Sequence, residues 1–578
     1  MIQKFANPSN LNQLLTYTST KRRSVTNYYW LFYDIEVKYQ CNDVLLVCYQ
    51  LLNRSLEEIA RGHYRSFDSF VRMVYERCRS NSIVLCAHNG NHYDHLFFLD
   101  RFSKLYDHRS YDHNCQKFPI LTIYINGNQL LFRDSYQYFH SSLKQVGDVY
   151  NLPKLECALD QEFELTTWLP YCIRDVEICV EIMRHVNQLI SQTTFNSLVE
   201  TFSLADIAYN ISIRRIRYIV RYTVNEQLSF IYNSARYGGR TYSALYGQCM
   251  NDSISVIDAN SMYPSCMTFD YPAGELSIVE NECVANRFAI YYVELSRAFV
   301  SCCDATRAIV PVVLKRGRAK CGLGFFDHGY IVGWYTSVDI DTFVSRGWSV
   351  VCHIGLVWSS RCSQLGDLYK QWYNDRKLYP KGSPISDLIK RQMNSSYGKY
   401  LQLTASFYDR PSFIGVFLLS YSRAIFNSLM MICRDGPLLY SDTDSIFVNS
   451  TNDKYVTQDM LQDELTVDVA CPRVKIEGHH SSLLVVAKKV YCLSNPEVIK
   501  CKGFKNVTRQ QLVEACRRPI SIDCLTVRSQ LDYVTKEKLL VCDANNVESV
   551  KKTLSINISE YMYRCKDCDL YHTRGLLN

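Results

Sequence analysis

Apolar and polar positions along this chain switch repeatedly between a two-residue and a three-to-four-residue period, which predicts strands and helices alternating throughout. Residues 28–50 ("YYWLFYDIEVKYQCNDVLLVCYQ") read as two strands, and residues 167–190 ("TWLPYCIRDVEICVEIMRHVNQLI") space their apolar side chains as one helix does. An α/β amino-terminal domain is the expectation. A second helix-rich stretch runs from 196 to 233 and ends at the glycine pair of "ARYGGRTY". A strand and turn follow in "SVIDANSMYPSCM", then a β-leaning region to about 360. Two helices are expected on either side of "YPKGSP" (379–384), where Pro and Gly interrupt the pattern. Beyond lie the helical-looking "VFLLSYSRAIFNSLMMICR", the β-prone "LLYSDTDSIFV" (438–448), more β and a mixed tail.

With 578 residues, 47% of them hydrophobic, the chain exceeds one compact core, so the expected class is a multidomain α/β and α+β protein. The 25 cysteines are scattered, mostly inside apolar runs, which suits reduced, buried thiols in an intracellular protein. "MIQKFANPSN" is too polar for a signal h-region and no run of about 18 uninterrupted apolar residues occurs, so neither secretion nor a membrane partner is expected. A net charge of +7 permits nucleic acid as a partner without requiring it. A lone "CKDC" at Cys565 to Cys568 lacks a second ligand pair, and no zinc is expected.

Acidic residues inside apolar strands change this picture. Asp34 and Glu36 in "LFYDIEV", and Asp442 and Asp444 in "LLYSDTDSIFV", lie two apart. On a strand such residues share a face, so each pair aims two carboxylates at one point. Two anions at close range repel, and Mg²⁺ is the simplest charge to place between them. A single pair reads more readily as the acidic solvent face of an amphipathic strand. Here there are two, each with further acids in apolar contexts downstream: Asp94 and Asp175 for the first, Asp258 for the second. Tyr171 sits one helical turn before Asp175 and faces the same way. In "LIKRQMNSSYGKY", Lys390, Asn394 and Tyr397 share one helix face that makes no core stripe.

"YDIE", then N-x-x-x-Y-D from Asn89 through Tyr93 to Asp94, then Y-x-x-x-D from Tyr171 to Asp175, resemble in order the three exonuclease motifs of family B DNA polymerases. "DANSMYP" from Asp258, "KRQMNSSYG" from Lys390 and "DTD" resemble the same family's polymerase motifs, with Met262 in place of a leucine. The resemblance implies an RNase H-like 3′-5′ exonuclease domain (1–195), a linker and first part of the palm (196–269), a terminal-protein-region insertion (270–362), fingers (363–400), the rest of the palm (401–504) and a thumb (505–578). It implies that Asp34, Glu36, Asp94 and Asp175 hold two metals, with Tyr171 orienting the attacking water. Asp258 and Asp444 become the principal ligands of the polymerase site, with Asp442 in support. Each site would take two Mg²⁺, with Mn²⁺ an acceptable substitute. Lys390, Asn394, Tyr397, Arg376, Ser261 and Met262 would meet the nucleotide, the backbone amides around Asn260 to Met262 receiving its triphosphate. Tyr263 would exclude a 2′-OH. Lys489 and Tyr491 of "KVY", and Lys502 before Gly503, resemble primer-strand contacts.

Within the family, several details resemble the protein-primed branch of adenoviral, small-bacteriophage and linear-plasmid polymerases. The first exonuclease motif follows only a short leader. Ser142 and Leu143 match a pattern that binds single-stranded DNA and the priming protein. Tyr237, Gly238 and Gly239 resemble the branch's interdomain linker, although Arg236 displaces the tyrosine from its usual place. Between Gly398 and Asp442 a long second terminal-protein hairpin would hardly fit, so strong strand displacement is not expected; a shortened one between 399 and 420 stays open. The implied partners are template-primer DNA, dNTPs and a terminal protein that supplies the priming hydroxyl. The chain is expected to work as a monomer at the site of genome replication. Two alternatives stand beside this reading: a nucleic-acid-primed family B polymerase with a reduced amino-terminal region, and a catalytically silent DNA-binding relic.

Overall fold

The computed structural model describes residues 27–38, 43–106, 110–113, 121–157, 163–193, 195, 197–216, 226–299, 309–316, 320–402, 411–504, 506–527, 547–555, 562–564 and 571–573. A seven-stranded mixed sheet comes first: β1 (Tyr28–Lys38), β2 (Asp43–Leu52), β3 (Glu58–Tyr64), β4 (Ser82–Ala87), β5 (Asp112–His113), β6 (Thr122–Ile125) and β7 (Asn128–Asp134), in the order β3-β2-β1-β4-β7-β6-β5. β1, β4 and β7 run parallel at its centre. Helices must then cover both faces, and every residue of β4 ("SIVLCA") is buried. Helices α1 (Phe67–Ser80) and α2 (Asp94–Leu105) cover one face. The long helix Leu165–Ile190, close to the expected 167–190, covers the other.

β1 shows why its acids lie where they do. Leu31, Tyr33 and Ile35 pack into the core shared with Phe70 and Phe98, while Tyr28, Trp30 and Phe32 pack into the core shared with Cys172 and Val176 of the long helix. The two-residue period carries Asp34 and Glu36 onto that second face.

An antiparallel five-stranded sheet orders Val474–His480, Ile254–Ala259, Ser445–Asn449, Tyr440–Asp442 and Thr241–Ser243. Its hairpin corrects an expectation: "LLYSDTDSIFV" is not one continuous strand. Tyr440–Asp442 pairs back on Ser445–Asn449, and the chain reverses at Thr443, whose φ is 71°. The Asp444 amide donates to the Asp442 carbonyl at 2.9 Å, closing a three-residue turn. The Thr443 amide donates to the Arg240 carbonyl at 2.8 Å, so the turn is held from outside the hairpin.

Helices Gln364–Lys377 and Pro384–Tyr400 flank the Pro/Gly break, the second opened by a Ser383 cap and a proline that forfeits no helical hydrogen bond. Residues 271–362 form a four-stranded sheet, a separate hairpin (Val310–Arg316 with Lys320–Phe326) and the helix Ser337–Val344 around a core of their own. The helix Ser412–Leu429 is buried almost all round. The stretch Ser412–Ile432 is long and apolar enough to cross a membrane, yet 94% of its apolar window lies inside the protein. Cys565 to Cys568 and residues 403–410 of the 399–420 hairpin position lie outside the described residues, while 412–420 already belong to the helix Ser412–Leu429.

Candidate active sites

The first acidic site forms where β1, α2 and the helix Leu165–Ile190 meet. Asp34 and Glu36 come from β1, Asp94 opens α2, and Asp175 comes down from the long helix; Glu36, Asp94 and Asp175 are buried. All four expected acids are thereby brought together. Burial raises all four carboxyls; neighbouring acids add to it at Asp34, Glu36 and Asp94, while Lys154 pulls Asp175 the other way. Asp34 is pushed well above the usual range by burial, then by Asp94, Asp175 and Glu36. Glu36 is raised to about 7 by burial and then by Asp175, and Asp94 to about 7 chiefly by burial. Donor atoms of Asp34, Glu36 and Cys172 lie within 4.8 Å of one another, and buried Asp175 Oδ1 has no hydrogen-bond partner among the described residues. A cluster of oxygen donors that repel one another, with one lone pair unused, fits a hard divalent cation such as Mg²⁺ or Mn²⁺.

The reading of motifs missed Lys154. It pairs with Asp175 Oδ2, and its Nζ lies 4.4 Å from the centre of the Tyr171 ring, which ties the expected tyrosine to the acid one turn on. Nothing in "NLPKLEC" singles this lysine out; only packing brings it to the site. Asp134, at the end of β7, accepts from the Asn91 and Tyr136 amides and so holds the Asn89–His92 loop in place. Asn89 stands exposed at φ 60° and Tyr93 is 44% exposed, open to a strand lying across the site. His88 is spent on Ser135 Oγ (2.9 Å) and the Ser141 carbonyl (3.0 Å), and burial lowers it to about 4.

The second site is a cleft of about 470 Å³. It is lined by Asp258, Asn260 to Pro264, Tyr373, Arg376, Lys377, Tyr379, Lys381, Lys390, Asn394, Asp444, Asp463 and Lys475, among others. Asp258 is the last residue but one of the strand Ile254–Ala259, opposite Ser445, and the Ala259 amide donates to the Asp444 carbonyl at 2.8 Å, so the two acids are locked side by side. Burial raises both; Asp444 reaches about 6, with Asp258 the next cause. This donor pair also suits a divalent cation. Asp442 stands apart from the lining, held by Lys489 Nζ at 2.6 Å and Thr241 Oγ1 at 3.4 Å. Tyr263 stacks on Tyr397 with centroids 4.5 Å apart, which makes an aromatic floor between the two motifs. Gly239 lies where a Cβ would come within 2.6 Å of Thr443 Cγ2, so "YGGR" presses on the aspartate turn.

Some expected contacts are corrected. Tyr237 is 4% exposed and stacked on Tyr335, and Tyr491 is 8% exposed between Tyr440 and Phe447, so both rings serve cores and not a DNA surface. The Asn260 amide donates to the Arg473 carbonyl at 2.8 Å, which removes it from the expected phosphate cradle, while Ser261 and Met262 line the cleft. Gly238 has open space around it and Lys502 is exposed. Exposed Ser142 is spent on a capping box with Gln145, and half-buried Leu143 packs against the core.

The whole arrangement has counterparts of known structure. A Phi29 DNA polymerase complex with primer-template DNA and incoming nucleotides shares the fold, with a TM-score of 0.66 and 17% identity, covering 92% of this chain and 100% of that one. An orthorhombic crystal form of Phi29 DNA polymerase gives 0.61 and 16%, covering 84% and 94%. The fold is therefore that of an exonuclease unit joined to a polymerase hand. Residues 75–165 and 160–403 match the family described as DNA polymerase type B, organellar and viral, and the chain belongs to that family. A DNA polymerase of Kluyveromyces lactis is 25% identical over 391 residues, 57% of this chain, and the match spans 38% of that relative's length.

Proposed function

We propose that this chain is a DNA-directed DNA polymerase with a 3′-5′ proofreading exonuclease, initiating on a hydroxyl of a separate terminal protein to replicate a linear viral or mobile-element genome. The observation that carries it is the cleft in which Asp258 and Asp444 face Lys390, Arg376, Lys377 and Lys381: paired carboxylates opposite a basic wall. That is the charge pattern a nucleoside triphosphate with its cations would fill. The first site gives the second activity, with residues 1–195 as exonuclease domain, 196–269 and 401–504 as palm, 363–400 as fingers, 270–362 as the terminal-protein-binding insertion and 505–578 as thumb.

Divalent cations bound at these acids supply charge neutralisation and a lowered pKa for the attacking oxygen. Asp258 and Asp444 hold them for synthesis, and Lys390 on its exposed helix face meets the triphosphate as a point charge. Tyr263, backed by Tyr397, lies under the incoming sugar and excludes a 2′-OH. In the exonuclease site Asp34, Glu36, Asp94 and Asp175 are the corresponding holders. Lys154 counters the upward push that burial gives the Asp175 carboxyl and steadies Tyr171, which orients the water.

The Phi29 polymerase structures that share the fold include complexes with primer-template DNA and nucleotides, which supports the same partners here. The chain acts inside the cell, at the site of genome replication, as a monomer. Primer extension and single-strand degradation with Mg²⁺ test the reading. Asp444→Asn should lower extension by about 10²-fold or more while sparing degradation, and Asp34→Ala the reverse. Survival of extension in Asp444→Asn would show the site to be misassigned. Template-directed deoxynucleotidylation of a candidate terminal protein separates protein priming from the nucleic-acid-primed alternative.

A further inference from the structure

We propose that Lys475 is a tethered counter-cation of Asp258, which competes with a divalent cation for that carboxylate and, when the cation takes its place, keeps its bond to Glu477 and turns to the incoming triphosphate. The proposal rests on reading the cleft as a nucleotidyl-transfer site. Lys475 lies on Val474–His480, directly opposite Asp258 in the antiparallel register, so the two side chains share a face. Its Nζ is 3.2 Å from Asp258 Oδ2 and 2.8 Å from Glu477 Oε1. Glu477 is the extra residue of a bulge, since Val256 opposes Gly478 and Ile257 opposes Ile476. A bulge re-aims a side chain, and here it brings a second carboxylate to the same ammonium.

Lys475 Nζ thus bridges the two carboxylates, nearer Glu477 than Asp258, and can give up the longer contact while keeping the shorter, without backbone motion. Its side chain is 53% exposed against 18% for Asp258, so the ammonium is the better hydrated partner and leaves at the smaller cost. A divalent cation on Asp258 must displace it, because two positive charges cannot share the site. The displaced ammonium still lines the cleft that Lys390 and Lys377 also line, where a triphosphate would lie. Asp444 makes no ion pair among the described residues, so the competition falls on one ligand of the pair.

Mn²⁺ binding to the nucleotide-free, full-length protein, followed by the loss of the free-ion paramagnetic resonance signal, tests this. Lys475→Met should bind Mn²⁺ more tightly by about two- to fivefold, the size of one exposed charge pair. Lys475→Arg should match the wild type, and Asp258→Asn should erase the gain. In primer extension, Lys475→Met should raise the KM for dNTP, with unchanged single-strand degradation reporting an intact fold. Unchanged or weaker Mn²⁺ binding by Lys475→Met overturns the proposal. So does a raised KM without tighter binding, which would make Lys475 an ordinary phosphate contact. Wild-type protein that binds Mn²⁺ but extends no primer would instead overturn the polymerase reading and leave the competition standing.

Discussion

Glu36 and Asp94, raised to about 7, and Asp444, raised to about 6, bind protons in the folded protein at pH values where an unfolded chain has released them. Burial is the first cause in each case, so the effect belongs to the metal-free state. At these acids the folded form therefore carries more protons than the unfolded one between about pH 4 and pH 7, a contribution lost as pH rises; buried His88 and His95, lowered to about 4, act with the opposite sign up to about pH 6.5, so the acids act unopposed by them only above it. Thermal unfolding in EDTA should show Tm dropping between about pH 6.5 and pH 8, with Mg²⁺ restoring it at pH 8. A Tm that climbs over that range in EDTA contradicts the assignment. Lys154→Met should leave Asp175 buried beside Asp34 and Glu36 without its counter-charge. Degradation of single strands should then fall at least tenfold and its pH profile shift upward, while extension is unaffected.

The turn Asp442–Asp444 and the "YGGR" segment act as one unit. Thr443 lies at φ 71°, a conformation uncommon for a β-branched residue, and is kept there by the Arg240 carbonyl and by the space that Gly239 leaves. Gly239→Ala puts a methyl 2.6 Å from Thr443 Cγ2 and must displace the turn that carries Asp444. Extension should fall by about tenfold or more, since small displacements of catalytic groups are costly, and degradation should be untouched. Adding Thr443→Ser removes Cγ2 and should recover much of the loss. Failure of that rescue would show that the glycine serves something other than the turn.

Farther out, one buried ion pair joins three parts of the molecule. Arg423, on Ser412–Leu429, makes a two-pronged bond to Asp339 (Nε–Oδ1 2.9 Å, Nη2–Oδ2 2.7 Å) at the start of Ser337–Val344, and also donates to the Tyr237 carbonyl. Their side chains are 5% and 1% exposed. Removing one member strands a buried charge, so Arg423→Ala should cost about 3–5 kcal/mol, seen as an earlier urea transition. Because Tyr237 leads into Gly239, the same change should depress extension more than degradation. A loss shared equally by both activities would mean that the pair only holds the fold.

How much of this could be read in advance divides along a physical line. Local pattern was enough for the strand holding Asp34 and Glu36, for the long helix with Tyr171 and Asp175, and for the two helices around "YPKGSP". Periodicity and proline or glycine punctuation act within a few residues. Motif order was enough to group the acids that the fold brings together. The aspartate hairpin was not legible, because an apolar run looks the same whether it continues or folds back, and the hydrogen bond that turns it comes from Arg240, two hundred residues earlier. Nor were Lys154 and Lys475: a lysine in a polar stretch carries no signal until packing sets a buried carboxylate beside it. The same holds for the burial of Tyr237 and Tyr491. Residue type and spacing name the groups that can do chemistry, while burial and partner charge, which set their protonation and reach, arise from contacts far apart in the chain.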